Sequence, residues 1–388
     1  MMRILILGGS GGMGRFASSA IAKFDNFDSL IIADLNEEAA KKFAASLNNE
    51  KISGIGIDVT DEILLKKMLS QNDVVLNLTG PFFKFAYPIL KLALEEDCHY
   101  LDICDDWEPT EKMFTLNDLA KEKGKLALLG LGASPGITNL LALKAMNELD
   151  TISKVYTGWD MSSATPEEES SQIGTNAAMV HAIEQMIGKV KIFKDKKFKM
   201  ARPLDKVAFE YPEIGEFKAN IFGHPEAITF PHHYPEISES FNLMHGDNGL
   251  FNIVIKVMRF FIEIKLLSKN AAARILGWLE MLDKNSEDSE NDLPPVYGFA
   301  KGLKDGKETL VAATLDGDDE YKDMSMGEAT GYPLAVGLKM LVEGKITSTG
   351  VLAPEACGVD PDEFFHELSN IFGESVQMQT IVTKKVLA

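Results

Sequence analysis

Cysteine is scarce in this sequence. Its 388 residues include three cysteines, Cys98, Cys104 and Cys357, and no C-x-x-C pair. An odd number of widely spaced cysteines argues against a disulfide framework and against a zinc site, and it favours a reducing compartment. The first residues form an apolar strand pattern and not a signal peptide. We therefore expect a cytoplasmic protein without a metal centre.

Arginine and long apolar runs are scarce as well. The most apolar later stretch, residues 250–267, is interrupted by Lys256, Arg259, Glu263 and Lys265. It therefore predicts an amphipathic helix and not a membrane span. The arginines number five: Arg3, Arg15, Arg202, Arg259 and Arg274.

Positive charge is in deficit over the whole chain. The formal net charge is −19, which disfavours nucleic acid and anionic membrane surfaces as partners. The hydrophobic share of 45% and the charged share of 25% are typical of a soluble globular protein. A chain of this length predicts two or three domains.

A glycine-rich stretch near the N-terminus has the pattern of a dinucleotide-binding turn. A buried strand at residues 4–7 runs into it, and Gly9, Gly11 and Gly14 have G-x-G-x-x-G spacing. These glycines allow a tight turn, backbone approach to a pyrophosphate, and close packing of the next helix on the strand. The start of that helix offers free N–H groups to phosphates. We assign cofactor binding to Gly9, Ser10, Gly11, Gly12, Met13 and Gly14.

Asp34 ends a second apolar run, twenty residues after Gly14. A carboxylate there can accept hydrogen bonds from the adenosine ribose hydroxyls, whereas it would repel a 2′-phosphate. The sequence therefore predicts NAD as the cofactor, with NADP as the alternative.

Later strand ends supply further candidate cofactor contacts. Asp58 and Val59 follow the third strand, where a nucleotide-binding sheet meets the adenine ring. Asn77, Thr79 and Gly80 follow the fourth strand, where the order of strands reverses and the ribose and nicotinamide would lie. Asn77, Thr79 and Gly80, each taken singly, are equally explained as ordinary turn residues at a strand end.

Two domains are predicted from the order of the elements. Strands alternate with helical patterns, including helices at 87–96 and 109–123, up to residue 133. This alternation predicts an N-terminal doubly wound Rossmann domain with six parallel strands. Residues 134–388 predict a second α+β domain on a mostly antiparallel sheet. That domain includes a helix at 176–187, acidic loops at 162–171 and 284–292, and a hairpin turning at Asp305 and Gly306. The fold class is therefore α/β with a second α+β domain.

Six motifs occur in order along the chain, and together they resemble the saccharopine dehydrogenase family. They are VLNLTGPF from Val75, YLD from Tyr100, GASPGITNLLA from Gly132, GHPE from Gly223 with ITFP from Ile228, ATGYP from Ala329, and GVLAPE from Gly350. The resemblance is to the branch of saccharopine reductases and lysine-dehydrogenase-like proteins. NADP is common in this family, and Asp34 argues against it here.

The resemblance implies a fold and an activity. It implies an N-terminal nucleotide-binding domain, a C-terminal catalytic and dimerisation domain, and a late helix at about 326–344 that packs on the first domain. The implied protein is a homodimeric NAD(P)-dependent oxidoreductase. It would act on the C–N bond of an amino acid or amino-acid adduct, such as saccharopine, lysine or a carboxylated polyamine.

Oxidation of an amine needs a base, because only the neutral amine pushes electrons toward the departing hydride. Asp102, at the end of the fifth strand, and His224, in the GHPE motif, are the leading candidates. Glu226, Asp105 and Asp106 are others. His224 is equally explained as a turn residue, and Asp105 and Asp106 as the start of a helix. We interpret His232 and His233 as a pair at a strand end and not as metal ligands.

Amino-acid substrates carry carboxylates, for which arginine is the natural partner. Four arginines lie on a strand, beside the phosphate loop or on helical patterns, so Arg202 is the candidate clamp, with a solvated loop residue as the alternative. Lys84 is a second cation near the nicotinamide end. We group Asp102, His224, Arg202 and Lys84 as the candidate catalytic residues.

Two other functions stay open at this point. One is a nucleotide-bound regulatory protein without turnover. The other is a reductase of a carbonyl or alkene that is not an amino acid, which the apolar side chains of Phe82, Phe83 and Phe85 would suit.

Overall fold

The computed structural model describes residues 1–161, 183, 185–246, 249–268, 271–272, 274–275, 293–317, 324–372 and 378–387. The acidic loops predicted at 162–171 and 284–292, and most of the helix predicted at 176–187, lie outside these residues. The contacts divide the chain into a first unit, residues 1–143 and 316–380, and a second unit, residues 144–315 and 381–388. This division differs from a boundary at residue 133, which stays a prediction about functional domains.

The first unit is built on a seven-stranded sheet in which every pairing is parallel. The strand order is β15-β6-β5-β4-β1-β2-β3, so the direction of winding reverses between β1 and β4. This topology confirms the predicted doubly wound Rossmann fold. The strands are β1 (Met2–Leu7), β2 (Phe27–Asp34), β3 (Ile52–Gly56), β4 (Val74–Asn77), β5 (His99–Asp102), β6 (Leu126–Leu128) and β15 (Gly350–Leu352).

The seventh strand corrects the predicted count of six. β15 pairs in parallel with β6, although more than two hundred residues separate them in the chain. Its three residues are too few to show a strand pattern. The backbone amide of Val351 is also bound by the side chain of Asn117, which fixes β15 at the edge of the sheet (3.1 Å).

Helices cover both faces of a sheet of this kind, and two of them differ from prediction. The helix predicted at 87–96 begins earlier and spans Phe82–Glu95, with Pro81 as its N-cap. The helix predicted at 109–123 is broken by a 3₁₀ turn, Phe114–Leu116. The helices of this unit are Gly12–Ile21, Glu37–Ser46, Glu62–Ser70, Phe82–Glu95, Trp107–Met113, Asn117–Glu122, Ile137–Met146, Met326–Val342 and Pro361–Phe372.

The late helix Met326–Val342 lies directly against the helix Gly12–Ile21. Gly331 allows this approach, because a Cβ atom there would lie 2.6 Å from the Met13 carbonyl oxygen. Ser325 and Glu328 form a capping box at the start of the late helix. The ring of Tyr332 packs edge-on against Phe16 at 5.9 Å.

The second unit is built on a nine-stranded mixed sheet. β7 pairs in parallel with β12, and the other recorded pairings are antiparallel. β12 is buried along its whole length, and the sequence interpretation missed it. The strands are β7 (Thr151–Asp160), β8 (Val190–Lys194), β9 (Lys197–Ala201), β10 (Lys206–Tyr211), β11 (Gly215–Ile221), β12 (Glu239–His245), β13 (Val296–Lys304), β14 (Lys307–Gly317) and β16 (Met378–Val386).

The predicted hairpin joins β13 and β14. Asp305 and Gly306 form its turn with φ angles of 50° and 74°, which suit an Asp-Gly pair. Beneath the sheet, Tyr156 stacks on Phe241 and Phe299 with ring centroids 5.2 and 5.3 Å away. These rings form the centre of the core of this unit.

Two helices of the second unit bear on the predictions. His232 and His233 end the helix Glu226–His233, so their assignment to a strand end is wrong. The helix begins after Pro225, whose carbonyl oxygen accepts a hydrogen bond from the Thr229 amide at 2.9 Å. The apolar stretch from residue 250 forms the helix Gly249–Glu263. None of the described helices has the length and hydropathy needed to cross a membrane.

Candidate functional site

The glycine-rich turn joins β1 to the helix Gly12–Ile21. Gly8 has a φ of 75°, and the amides of Gly8 and Gly9 both donate to the Ala33 carbonyl oxygen of β2. A Cβ atom on Gly14 would lie 2.1 Å from the Gly8 oxygen, so this position must be glycine for the helix to pack on the strand. Gly11 is the exposed N-cap and has no side-chain capping bond. The exposed start of the helix is therefore suited to a phosphate.

Asp34 ends β2 beside this turn. Its carboxylate accepts a hydrogen bond from the Ser10 hydroxyl at 2.7 Å and from the Asn36 amide at 3.3 Å. Arg15 donates to the Ser10 carbonyl oxygen at 2.9 Å, and its guanidinium lies 5.9 Å from the centre of the Phe43 ring. One acidic and one basic group therefore border the same turn.

The predicted adenine contacts Asp58 and Val59 follow β3. The Asp58 carboxylate is exposed and accepts two hydrogen bonds from Thr60, one from the hydroxyl and one from the amide. These bonds hold the pKa of Asp58 below its usual value, and Lys84 adds a smaller electrostatic contribution. Asp58 is thus an ionised group at the carboxyl end of the strands.

Asn77, Tyr100 and Asp102 form a buried hydrogen-bonded chain between β4 and β5. The Asn77 side-chain amide donates to the Tyr100 hydroxyl oxygen at 3.0 Å, and the Tyr100 hydroxyl donates to Asp102 Oδ2 at 2.8 Å. Asn77 Oδ1 accepts the Thr79 amide at 3.0 Å. Two of the predicted cofactor residues are thus joined to a predicted catalytic residue.

The position of Asp102 corrects its assignment as a base facing the crevice. The side chain is completely buried, and its Oδ1 accepts the amides of Gly130 and Cys104 at 2.7 and 3.1 Å. Burial raises the pKa of Asp102 to about 6, although these hydrogen bonds favour its ionised form. In the described structure the carboxylate holds loops together and is closed to substrate.

The loop after β6 is held by residues that the sequence interpretation did not single out. Asn139 accepts the Gly136 amide at 2.8 Å and donates to Glu355 Oε2 at 2.7 Å, and both side chains are buried. Gly136 has a φ of 124°, and a Cβ atom there would lie 2.0 Å from the Gly132 oxygen. A buried hydrogen bond therefore joins the GASPGITN motif to the GVLAPE motif.

His224 lies in the second unit and is 8% exposed. Its ring stacks on Trp159 at 5.6 Å and packs edge-on against Phe222 at 4.8 Å. The nearby Glu226 is fully buried and accepts a hydrogen bond from Asn242 at 3.0 Å. The ring orientation of His224 is therefore fixed by its aromatic neighbours.

The two candidate carboxylate partners are both exposed. Arg202 follows β9 in the second unit, and Arg259 donates to the carbonyl oxygen of the next residue, Pro203, at 3.1 Å. Lys84 lies in the first turn of the helix Phe82–Glu95, with its ammonium 4.6 Å from the centre of the Phe85 ring. Arg202 thus lies on a backbone segment that a second arginine anchors.

Burial shifts the pKa values of three other titratable side chains. Burial raises the pKa of Cys98 and Cys357 to about 12, and it lowers the pKa of His233 to about 4. Among the described residues, no group of three or more His, Cys, Asp or Glu side chains is placed to hold a metal ion.

The first unit therefore has the three features that define a dinucleotide-binding protein. They are a doubly wound parallel sheet, a glycine turn at a helix start, and an acidic residue that ends the second strand.

Two family models match this chain along most of its length. The saccharopine dehydrogenase NADP binding domain matches residues 4–128, and the saccharopine dehydrogenase C-terminal domain matches residues 132–373. The chain belongs to the saccharopine dehydrogenase family. This confirms the resemblance and the predicted class of NAD(P)-dependent oxidoreductase.

Individual relatives agree with this assignment. Carboxyaminopropylagmatine dehydrogenase of Synechocystis sp. is 22% identical, over 96% of this chain and 96% of that protein. Carboxynorspermidine synthase of Vibrio cholerae is 22% identical over 94% of each chain. The structure of apo saccharopine dehydrogenase (L-Glu forming) from Saccharomyces cerevisiae matches 98% of this chain and 100% of its own, with a TM-score of 0.65 and 17% identity. This last likeness shows the fold.

We expect Asn139→Asp to destabilise the protein in a pH-dependent way. The substitution puts a second carboxylate against Glu355, and two adjacent carboxylates raise the pKa of one of them. The folded state then binds a proton that the unfolded chain releases, so stability falls as pH rises from about 4 through the raised pKa. Urea unfolding should show a loss of roughly 2–4 kcal/mol at pH 8 and a smaller loss at pH 5.

The double variant Asn139→Asp/Glu355→Gln is the matched control. It restores one donor and one acceptor to the pair, so most of the stability at pH 8 should return. An equal loss at both pH values in the single variant would show that the two side chains do not interact as described.

Proposed function

We propose that the protein transfers hydride between NADH or NAD and the C–N bond of an amino acid or amino-acid adduct. The observation that carries this proposal is the glycine turn beside Asp34, in a chain that the two family models match nearly end to end. The names of two relatives favour a carboxylated polyamine among the adducts. Saccharopine and lysine are the other candidates.

The residues of the first unit fit the cofactor. The Gly11 start of the helix would hold the pyrophosphate, and Asp34 would accept hydrogen bonds from the adenosine ribose. Thr79 and Gly80, after β4, would border the nicotinamide. When bound, the nicotinamide accepts or supplies the hydride.

The substrate amine must lose a proton before its carbon can lose hydride. The nitrogen lone pair then forms the C=N bond as the C–H electron pair leaves with the hydride. In the reverse reaction, the imine carbon receives the hydride and the nitrogen receives the proton. His224 is the proposed base, because its ring is held in a fixed orientation by Trp159 and Phe222. Asp102 is the less favoured candidate, because its side chain is completely buried and both carboxylate oxygens accept hydrogen bonds within the protein.

A screen of amines, and of keto acids paired with amines, tests the proposed reaction directly. The change in NADH absorbance should identify at least one amino-acid adduct as substrate. Turnover of a carbonyl or alkene that is not an amino acid, with none on amino acids or their adducts, would contradict the proposal.

We predict that the protein binds NADH more tightly than NADPH. Asp34 would repel the 2′-phosphate, while the nearby Arg15 would attract it once that repulsion is removed. Asp34→Ser should therefore raise NADPH affinity about tenfold or more and lower NADH affinity, as measured by fluorescence titration.

Two variants complete this cofactor experiment. Asp34→Ser/Leu35→Arg adds a second phosphate partner and should shift the preference further toward NADPH. Asp58→Ser removes a carboxylate that belongs to a different strand end, so it should leave the ratio of the two affinities unchanged. A tenfold preference of the parent protein for NADPH would refute the argument from Asp34.

Arg202 is proposed to bind the substrate carboxylate. Its exposure, and the anchoring of Pro203 by Arg259, leave a guanidinium on a fixed segment of the second unit. Arg202→Ala should reduce kcat/KM by about 30- to 1,000-fold, or roughly 2–4 kcal/mol, once a substrate has been found. The Kd for NADH should change by less than about threefold.

Arg274→Ala is the matched control, because Arg274 is an exposed arginine of the same unit that lies on a helix. It should keep the parent kcat/KM. Parent activity in Arg202→Ala would show that another residue binds the substrate carboxylate. Lys84 would then be the next residue to replace.

We also infer a homodimer formed through the second unit and a cytoplasmic location. The homodimer follows from the family resemblance and from the exposed edges of an open sheet such as this one. The location follows from three free, buried cysteines. Light scattering at micromolar concentration should give twice the 42.7 kDa chain mass. A monomer mass would refute the dimer.

A further inference from the structure

The hydrogen bonds between β4 and β5 have a donor-to-acceptor direction that follows from the chemistry of the side chains. Asn77 and Asp102 are register partners at the ends of these strands, and Tyr100 lies on the same face two residues before Asp102. All three side chains are completely buried. Each polar atom of this chain therefore has to find its partner inside the protein.

An ionised Asp102 can only accept hydrogen bonds. Tyr100 must then donate its hydroxyl proton to Asp102, which leaves the Tyr100 oxygen to accept from the Asn77 amide nitrogen. The Asn77 oxygen is consequently turned toward the Thr79 amide. The charge on the buried Asp102 carboxylate thus determines which side-chain atom of Asn77 faces the loop after β4.

We propose that Tyr100 and Asp102 are positioning residues, which fix Asn77 and Thr79 where the nicotinamide half of the cofactor would bind. This inference rests on the function proposed above. The other oxygen of Asp102 holds the Gly130 amide, so the same carboxylate anchors the loop after β6. Neither Tyr100 nor Asp102 touches the cofactor in this proposal.

The hydrogen-bonded series Asn77–Tyr100–Asp102, here called the relay, has a second state in which Asp102 is protonated. The acid proton then points at the Tyr100 oxygen, and the Tyr100 hydroxyl must turn to another acceptor. The Asn77 oxygen is a candidate acceptor, and turning it toward that hydroxyl takes it away from the Thr79 amide. Protonation of Asp102 would therefore release the loop that begins at Thr79.

The groups around Asp102 determine the pH at which its carboxylate is protonated. The pKa of Asp102 is raised to about 6, chiefly by burial and to a smaller extent by the neighbouring Asp105 carboxylate. The thiol of Cys104 and the phenol of Tyr100 both have pKa values well above their ordinary ranges, so they stay neutral near pH 6. Of Asp102, Cys104 and Tyr100, it is then Asp102 whose charge changes near pH 6.

The test compares NADH with ADP, because ADP has the adenosine and pyrophosphate of NADH and no nicotinamide. Tyr100→Phe keeps the ring and removes the hydroxyl, so it breaks the relay at its centre. We expect the affinity for NADH to fall about 5- to 20-fold while the affinity for ADP stays within about twofold. Asp102→Asn should have the same selective effect, since its amide nitrogen donates where the carboxylate accepted.

Thr110→Val is the matched control. Thr110 is a completely buried residue of the same unit, and its hydroxyl donates to the Asp106 carbonyl oxygen at 2.8 Å. Its loss should lower the unfolding midpoint and leave the ratio of NADH to ADP affinity at the parent value. That ratio separates positioning of the nicotinamide end from a general loss of stability.

The pH dependence of the ratio provides a second readout. In the parent protein the ratio of NADH to ADP-ribose affinity should fall about 5- to 20-fold as pH drops from 7.5 through about 6 to 5. ADP-ribose replaces ADP here because its pyrophosphate, like that of NADH, has no terminal phosphate that takes up a proton in this range. In Tyr100→Phe it should be low at both ends of that range, because the relay is already broken. Calorimetry or fluorescence titration measures both ligands without a substrate.

The outcomes separate this inference from the proposed function. Failure of the parent protein to bind NADH, NADPH or ADP would overturn the proposed function, and the relay proposal with it. Binding by the parent with an unchanged ratio in Tyr100→Phe would overturn the relay proposal alone. Equal losses of NADH and ADP affinity in that variant would assign Tyr100 to folding and also overturn it.

Discussion

The close packing of the helix Gly12–Ile21 is the constraint on which the first unit depends. On one side Gly14 brings the helix within van der Waals contact of the turn after β1, and on the other Gly331 admits the late helix. A side chain at either glycine would meet backbone atoms and not the movable end of a side chain. The phosphate-binding turn is therefore supported by a segment more than three hundred residues further along the chain.

Buried polar groups give the separated motifs a common physical basis. Asn77 binds Tyr100, Asp102 binds the Gly130 amide, and Asn139 joins the loop that follows to Glu355. Each of these bonds joins a motif to another motif or to the loop leading into it. Since a buried polar group without its partner costs about 1–3 kcal/mol, none of these residues can change alone without loss. Four of the six motifs, VLNLTGPF, YLD, GASPGITNLLA and GVLAPE, are thus linked by buried hydrogen bonds.

Local pattern predicted the parts of the site whose geometry is local. The glycine spacing and the acidic end of β2 follow from one strand, one turn and one helix, so Gly14 and Asp34 lie where expected. The burial of Asp102 depends on Gly130, and the seventh strand depends on a pairing with residues 350–352. No periodicity within either segment contains that information. β12 was missed for a similar reason, because burial on both faces removes the alternation that marks a strand.

The family's NADP-binding domain and a preference for NADH are compatible, because different residues determine each. The glycine turn and the helix start would meet the pyrophosphate, which both cofactors share. The 2′ position would lie near the end of β2, where Asp34 contacts the Ser10 hydroxyl and Arg15 contacts the Ser10 carbonyl oxygen. An anion and a cation therefore lie on the same turn, where the adenosine ribose would bind. Asp34 is the last residue of β2, whereas the glycine backbone of the turn is held by the Ala33 carbonyl oxygen. We therefore expect replacement of the Asp34 carboxylate to change the cofactor preference and to leave the fold of the turn intact.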